Sequence, residues 1–478
     1  MRKHILPRML STALAASLCL CGMPPVSAAV PSTFKVLAIG NSFSEDATRY
    51  LYQIAEGCGA TEIVIGNLYI GGCTLNTHWN NAKDNRAAYT YFKNTDGQWR
   101  SSANQTMLTG LEDEEWDMVT LQQASGVSGA ADTYNSDLDN LIAYVKGHMK
   151  AGAKLYWHMT WAYQGDSNHG DFGRYDRNQM TMYRAILDAV QTKIVTNNAF
   201  DGVIPAGTAI QNARTSFLGD TLTRDGYHLS EGIGRYVAGL TWAKALGLAL
   251  DGLEYLPDGI PASYLPMLKE AAEKAVASPY AVTASTHTEA PTYDLSAYTL
   301  FDWEPVGCAY WNSTASTTLN SRENSTASNL INYVASGRRF TREELPVGSL
   351  IVVDKGYQYR PEGWGHGLSS ASARPDNVTT AYMEVDEAWW KDYQYRAFNI
   401  SKTNLADISQ EVEETASHFR IYIPKKGTPA PQTTMAGTSA PATGGEKSSL
   451  PLFAGIGAGL AVLTGTVLLL LRRRKLQA

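Results

Sequence analysis

Between Phe34 and Ala277, short apolar runs alternate with stretches of helical spacing, and this alternation limits the possible folds more than any other feature. Runs of four to eight apolar residues bounded by glycine or polar turns read as buried strands. They predict strands over Lys35–Ile39, Glu62–Ile70, Met118–Leu121, Lys154–Thr160 and Gly202–Pro205. Helical spacing falls between and after them, over Thr48–Gly57, Asp137–Ala151, Asp176–Thr196, Gly232–Leu248 and Pro266–Ala277. A strand–helix alternation of this kind implies a parallel sheet with helices on both faces.

One junction in that pattern has chemical content. In Val36-Leu-Ala-Ile-Gly-Asn-Ser-Phe-Ser-Glu-Asp46, an apolar strand stops at Gly40 and a helix follows within a few residues. The junction sets the Ser42 hydroxyl at the carboxyl end of a strand, where open α/β sheets build their sites, beside the free N–H groups of a helix start. Ser42 and Ser44 also suit ordinary capping and turn roles, so the junction needs a partner elsewhere before it means catalysis.

At 478 residues the chain exceeds one compact domain, and 44% hydrophobic against 18% charged residues provides for large cores. Net charge is −6, and no Lys/Arg cluster precedes the last few residues, which argues against a nucleic-acid partner. Residues 1–28 have the form of a signal peptide: Arg2-Lys3-His4, an apolar stretch from Leu10 to Cys21, and a Val26-Ser27-Ala28 cleavage site. Of the cysteines, Cys58, Cys73 and Cys308 lie beyond the leader. A strand between the first two would hold them ~25 Å apart, beyond disulfide reach, so free thiols are expected.

The predicted organisation places an α/β domain at 29–282, a Ser/Thr/Ala/Pro linker at 283–292 and an accessory β-sandwich at 293–425. Strand-like pieces at Ser349–Val353, Thr380–Val385 and Phe419–Ile423 support the sandwich. Within it, Leu345-Pro-Val-Gly-Ser349 and the aromatic stretch from Tyr359 to His366 suit either a sugar platform or a sandwich corner. A Pro/Thr/Gly/Ala-rich spacer (426–449), an uncharged apolar run (450–471) and a basic tail (472–478) follow. The apolar run is long enough to span ~30 Å of hydrocarbon, and the tail fits a cytoplasmic stop. With Ala440-Pro-Ala-Thr-Gly444 ahead of them, these segments resemble a sortase sorting signal of Gram-positive bacteria. That likeness implies display outside the cell, anchored to cell-wall peptidoglycan by sortase; a plain membrane anchor is the alternative.

The partner for Ser42 lies in Arg224-Asp-Gly-Tyr-His-Leu-Ser-Glu-Gly-Ile-Gly-Arg-Tyr236. A hydroxyl nucleophile needs an imidazole to take its proton, and the imidazole needs a carboxylate to fix its tautomer. Asp225 and His228, three residues apart on a tight loop, supply both from one rigid piece.

Together the two stretches resemble the SGNH (GDSL-like) hydrolase family, in particular a bacterial branch whose nucleophile block reads Gly-Asn-Ser-Phe-Ser. Its closing block, Asp-x-x-His before a small-residue helix start, matches Asp225 to Gly232. The resemblance covers Phe34 to Ala277 and implies a flavodoxin-like, three-layer α/β fold with a parallel sheet. By this likeness Ser42 is the nucleophile, His228 the general base and Asp225 its orienting carboxylate. The family's oxyanion hole adds a glycine N–H after the second strand and an Asn side chain after the third. Gly72, with Gly71 beside it, fills the first place; in the second stand Gln122 and Gln123, and Gln122 is preferred because it directly ends the strand.

Trp161 and Tyr163 follow the fourth strand and offer either a stacking wall for a sugar or ordinary packing. No metal or other cofactor is expected: His158 and His169 lack ligand spacing with carboxylates, and Gly71-Gly72 lacks the Lys and Ser/Thr of a phosphate loop. The expected protein is a surface-displayed serine esterase that removes small acyl groups, acetyl foremost, from carbohydrates. A non-catalytic glycan-binding adhesin and a lipase are the alternatives.

Overall fold

A computed structural model describes residues 32–257 and 260–303 continuously. Further on it describes 306–312, 317–319, 330–335, 339–354, 356–362, 381–390, 394–402 and 412–425. The expected leader, spacer, apolar run and basic tail lie outside the described residues, as does Gly363 to His366 of the second aromatic stretch.

The first region is built on strands β1 (Thr33–Gly40), β2 (Glu62–Tyr69), β3 (Tyr89–Asn94), β4 (Trp99–Gln105), β5 (Met118–Leu121), β6 (Lys154–His158) and β7 (Gly202–Ile204). They form one sheet in the order β4-β3-β2-β1-β5-β6-β7. β2, β1, β5, β6 and β7 run parallel, whereas β3 pairs antiparallel with both β2 and β4. The expected all-parallel sheet is therefore corrected to a mixed one. The hairpin escaped the apolar-run criterion because an edge strand faces water: Arg100, Ser101, Ser102 and Asn104 of β4 are all exposed. Its turn did leave a signal, Asp96-Gly97, with Gly97 at φ +84°.

The parallel strands lie close to the expected bounds, and Met118–Leu121 coincides with its prediction. Every residue of β5 is buried, which requires cover on both faces. That cover is α1 (Ser42–Thr48), α2 (Leu51–Gly57), α3 (Leu75–Lys83), α4 (Met107–Glu112), α5 (Ser136–His148), α6 (Gln179–Lys193), α7 (Ala206–Arg214), α8 (Ile233–Ala245) and α9 (Leu265–Ala277). α1, α2, α7, α8 and α9 pack among themselves; α3, α4 and α5 form a second group. The expected helix at Thr48–Gly57 is two: the first begins at Ser42, where Asn41 caps it, and a break at Arg49–Tyr50 separates the second.

Beyond α9 the chain does not leave the domain at once. Asn212 on α7 accepts from the Thr283 N–H, and Glu270 on α9 accepts from the N–H and hydroxyl of Thr286 and the hydroxyl of Ser285. Burial alone would raise the Glu270 carboxyl, but Lys274 and these hydroxyls outweigh it and hold it at about 2.

The C-terminal region is antiparallel. Its strands are β8 (Tyr298–Leu300), β9 (Val306–Asn312), β10 (Thr317–Leu319), β11 (Leu330–Ala335), β12 (Phe340–Thr341), β13 (Leu350–Val353), β14 (Tyr357–Glu362), β15 (Ala381–Glu384), β16 (Tyr395–Lys402) and β17 (Phe419–Pro424). One sheet has the order β15-β13-β17-β8; the other runs β10-β9-β11-β16-β12, with β14 also on β16. One apolar cluster takes Ile351, Val353 and Ile421 from the first sheet and Phe340, Tyr357 and Ile400 from the second. The Leu345–Ser349 stretch is a packed corner: Leu345 is buried, and its carbonyl accepts from Trp390 Nε1.

Two buried histidines give the α/β core a pH dependence. His78 Nδ1 meets the Tyr89 hydroxyl at 2.9 Å and His158 Nδ1 meets Gln122 Oε1 at 2.8 Å. Burial pushes both rings down to about 3, so they stay neutral when folded. Unfolded, they take up a proton near 6.5, so their contribution is complete above that pH and is lost as pH falls toward 3. Each adds a slope of up to about 1.4 kcal/mol per pH unit in that window. Urea melts from pH 7 to 4 are expected to show falling stability already below pH 6; a flat profile to pH 5 would contradict this assignment.

Candidate active site

Ser42 sits at the switch point of the sheet. β1 has β2 on one side and β5 on the other, so the connections leaving its carboxyl end and that of β5 diverge and open a crevice. Asn41 makes the turn from β1 into α1. Its Oδ1 accepts from the Phe43 N–H (3.0 Å) and from Gln122 Nε2 (2.8 Å), and its Nδ2 donates to the Cys73 carbonyl (3.3 Å). One side chain thus ties the helix start, the end of β5 and the loop after β2. Ser42, first residue of α1, keeps an N–H with no intrahelical acceptor.

His228 arrives from 186 positions away, and its Nε2 lies 2.9 Å from Ser42 Oγ. Its Nδ1 lies 2.6 Å from Asp225 Oδ2, while Asp225 Oδ1 accepts from the N–H groups of His228 (2.8 Å) and Tyr227 (3.2 Å). With an ionised carboxylate at Nδ1, that nitrogen carries the proton and Nε2 accepts from the serine hydroxyl. Burial alone would raise the Asp225 carboxyl; the ring and backbone donors of His228 outweigh it and hold it below the usual carboxylate range. Ser42, His228 and Asp225 therefore form one continuous hydrogen-bonded row.

A fourth residue makes this meeting possible, and sequence reasoning passed over it. Asp46, one turn along α1 from Ser42, has its side chain only 1% exposed. Its carboxylate takes Arg235 Nε at 2.7 Å, Arg224 Nη1 at 3.0 Å and the Leu229 N–H at 2.8 Å. Arg224 and Leu229 bracket Asp225 and His228, so Asp46 pins the histidine loop to the helix that carries Ser42. The available signal was Asp46 four residues after Ser42, with arginines flanking the Asp-x-x-His block; helical phase alone did not reveal the pairing.

The expected third oxyanion donor is corrected. Gln122 is 1% exposed; its Nε2 is used by Asn41 and its Oε1 meets His158, an internal brace rather than a free donor. Gln123 is equally committed, with Oε1 accepting from the Leu75 and Ala124 N–H groups and Nε2 donating to Thr133. Gly71 and Gly72 both border the cleft that holds Ser42. Gly72 adopts φ +63°, a backbone that favours glycine, and a Cβ there would meet nothing within 4 Å. No acceptor among the described residues takes its N–H.

That cleft measures about 430 Å³ and is lined by Ser42, His228, Glu45, Tyr69, Gly72, His169, Asp171, Arg224 and Tyr227, among others. Trp161 is not part of it: fully buried, it stacks on Phe43 at 4.3 Å and donates to the Tyr227 carbonyl. Tyr163 borders the cleft but is also fully buried, its hydroxyl 2.9 Å from Ser125 Oγ. Half-buried rings do line the cleft: Tyr69, and Tyr227 with His169, whose centroids are 4.6 Å apart. Cys58 and Cys73 are buried free thiols, pushed up by burial to about 11 and about 12. Among the described residues no group of three or more His, Cys, Asp or Glu could hold a metal, and no helix is long and apolar enough to cross a membrane.

The search of curated proteins finds no match for the chain. Two solved structures overlap it loosely. An acetyl xylan esterase, AlAXEase, is 18% identical with a TM-score of 0.26, covering 44% of this chain and 99% of its own. The gut microbial diltiazem-metabolizing enzyme BT4096 is 11% identical with a TM-score of 0.30, covering 74% and 64% respectively. A crystal structure of a DUF4886 family protein from Bacteroides uniformis is 44% identical, with a TM-score of 0.51, over 52% of this chain and 97% of its own. The family model described as a domain of unknown function, DUF4886, matches residues 35–275, and the chain belongs to that family.

Proposed function

We propose that this protein is a serine esterase of the SGNH type that removes small acyl groups, acetyl foremost, from carbohydrates. The observation that carries the reading is the unbroken row Ser42 Oγ, His228 Nε2, His228 Nδ1, Asp225 Oδ2 at the rim of an open cleft. Ser42 attacks the ester carbonyl as His228 takes its proton, and Asp225 stabilises the imidazolium. The N–H groups of Ser42 and Gly72 receive the oxyanion. Collapse expels the alcohol, which regains the proton from His228, and water then cleaves the acyl-serine by the same route.

The character of the cleft supports a sugar ester over a lipid. Tyr227, His169, Tyr69, Glu45, Asp171 and Arg224 provide rings and hydrogen-bonding groups. The exposed large apolar residues among those described, such as Val195, Val282 and Leu300, are not among its lining residues. Display at the cell surface is part of the proposal and rests on the leader-like residues 1–28 and the segment from Ala440 to Lys475. Purified protein is expected to release acetate from 4-nitrophenyl acetate and from acetylated glycans, and a fluorophosphonate is expected to label Ser42. Tight glycan binding with neither acetate release nor labelling would replace the esterase by an adhesin.

A further inference from the structure

The hairpin that corrects the sheet also extends the site. A second cavity, of about 110 Å³, is lined by Glu45, Arg49, Asn67, Phe92, Trp99 and Ser101, among others. Glu45 is also a wall of the Ser42 cleft, so the two cavities adjoin at that side chain of α1. The junction carries rings as well: Tyr69, in the cleft wall, stands edge-on to Phe92 of the second cavity, centroids 5.7 Å apart. Trp99 is fixed rather than loose, since its Nε1 donates to the Arg49 carbonyl at 3.0 Å. Arg100 is held by both carboxylate oxygens of Asp96, whereas Glu45 and Arg49 have no side-chain partner among the described residues.

We propose that this cavity is a glycosyl subsite, which binds a further sugar unit of the acylated carbohydrate while the ester lies at Ser42. The inference rests on the esterase reading and names its substrate class: an oligosaccharide or polysaccharide rather than a monomeric ester. A sugar ring presents C–H faces that pack on Trp99 and Phe92 and equatorial hydroxyls that need both donors and acceptors. Glu45 supplies acceptors, and Arg49, Asn67 and Ser101 supply donors. A long acyl chain would leave Glu45 and Arg49 desolvated without partners, which disfavours a lipid at the same place.

The test compares partially acetylated β-1,4-linked xylo-, cello- and chito-oligosaccharides of one to four units with 4-nitrophenyl acetate. In at least one series kcat/KM is expected to rise about tenfold from one unit to three. Trp99→Ala is expected to lower the ratio of trisaccharide to nitrophenyl ester activity by a similar factor. Glu45→Gln, which leaves the hairpin's packing intact, serves as a second variant expected to lower the same ratio. Equal rates at every length, or variants that slow all esters alike, would overturn the subsite. Because loss of all ester hydrolysis would refute the esterase instead, calorimetric titration of the Ser42→Ala protein with the unacetylated tetrasaccharides gives an independent reading. Binding weakened about tenfold by Trp99→Ala supports the subsite, and no binding of any of them overturns it.

Discussion

Replacing Ser42 by alanine is expected to lower kcat on 4-nitrophenyl acetate by about 10⁴-fold or more while changing KM little. Ser42 Oγ is the atom that meets His228 Nε2, and α1 offers no substitute: the Ser44 hydroxyl is buried and donates to the Asn41 carbonyl at 2.7 Å. The binding surface survives the change, because Tyr227, His169 and the Gly72 loop do not lean on the hydroxyl. Stability should hardly move, since the lost bond is partly exposed and worth about 1 kcal/mol or less. A Ser42→Ala/His228→Ala double variant should be no slower than either single one, because nucleophile and base act as a unit. The decisive measurement is single-turnover acyl transfer with electrophoretic detection of the acyl-enzyme. Wild-type rates and labelling in Ser42→Ala would end the catalytic assignment.

The second large effect belongs to a residue outside the row. Asp46→Ala is expected to destabilise the α/β domain by about 3–5 kcal/mol, because it leaves the largely buried Arg235 guanidinium and the Leu229 N–H without their acceptor. Burial would lower the Arg235 pKa; the Asp46 carboxylate outweighs it and holds it raised, which marks the pair as mutually dependent. Catalysis should suffer beyond the loss of fold. With the 224–229 loop unpinned, His228 no longer rests 2.9 Å from Ser42, and a displacement of about 1 Å can cost roughly 10²-fold. Measured well below the variant's melting temperature, kcat should therefore fall much more than KM rises, and fluorophosphonate labelling should slow in step. Asp46→Asn keeps one acceptor for Leu229 and should be intermediate in both respects. Full activity in a folded Asp46→Ala protein would show that the loop holds its place without the clamp.

The roles of the polar groups around the turn follow from the same accounting of partners. Asn41, whose residue type the nucleophile block carries, joins three segments through one amide. Gln122 continues the connection to His158 in the core. Gln122 is 1% exposed and does not line the cleft, so its amide does not reach an oxyanion there, whatever its place in the sequence suggests. Trp161 follows the same logic: a tryptophan just beyond a strand end suits a sugar wall, yet Phe43 stacks on it, and the platform surface passes to Tyr227 and His169.

Features that depend on local periodicity, or on residue type at a junction, were legible in the sequence. The five parallel strands, the long helices, the strand-to-helix turn at Ser42 and the Asp-x-x-His loop could all be read from it, since each is encoded within about ten to twenty residues. Which polar groups remain free depends instead on long-range packing. The amide of Gln122, the face of Trp161 and the carboxylate of Asp46 are assigned by neighbours up to 189 residues away, and no local pattern records those pairings. The hairpin's place at the sheet edge was likewise beyond periodicity: solvent on its outer side removes the apolar signal, and only pairing with β2 brings Trp99 beside the cleft.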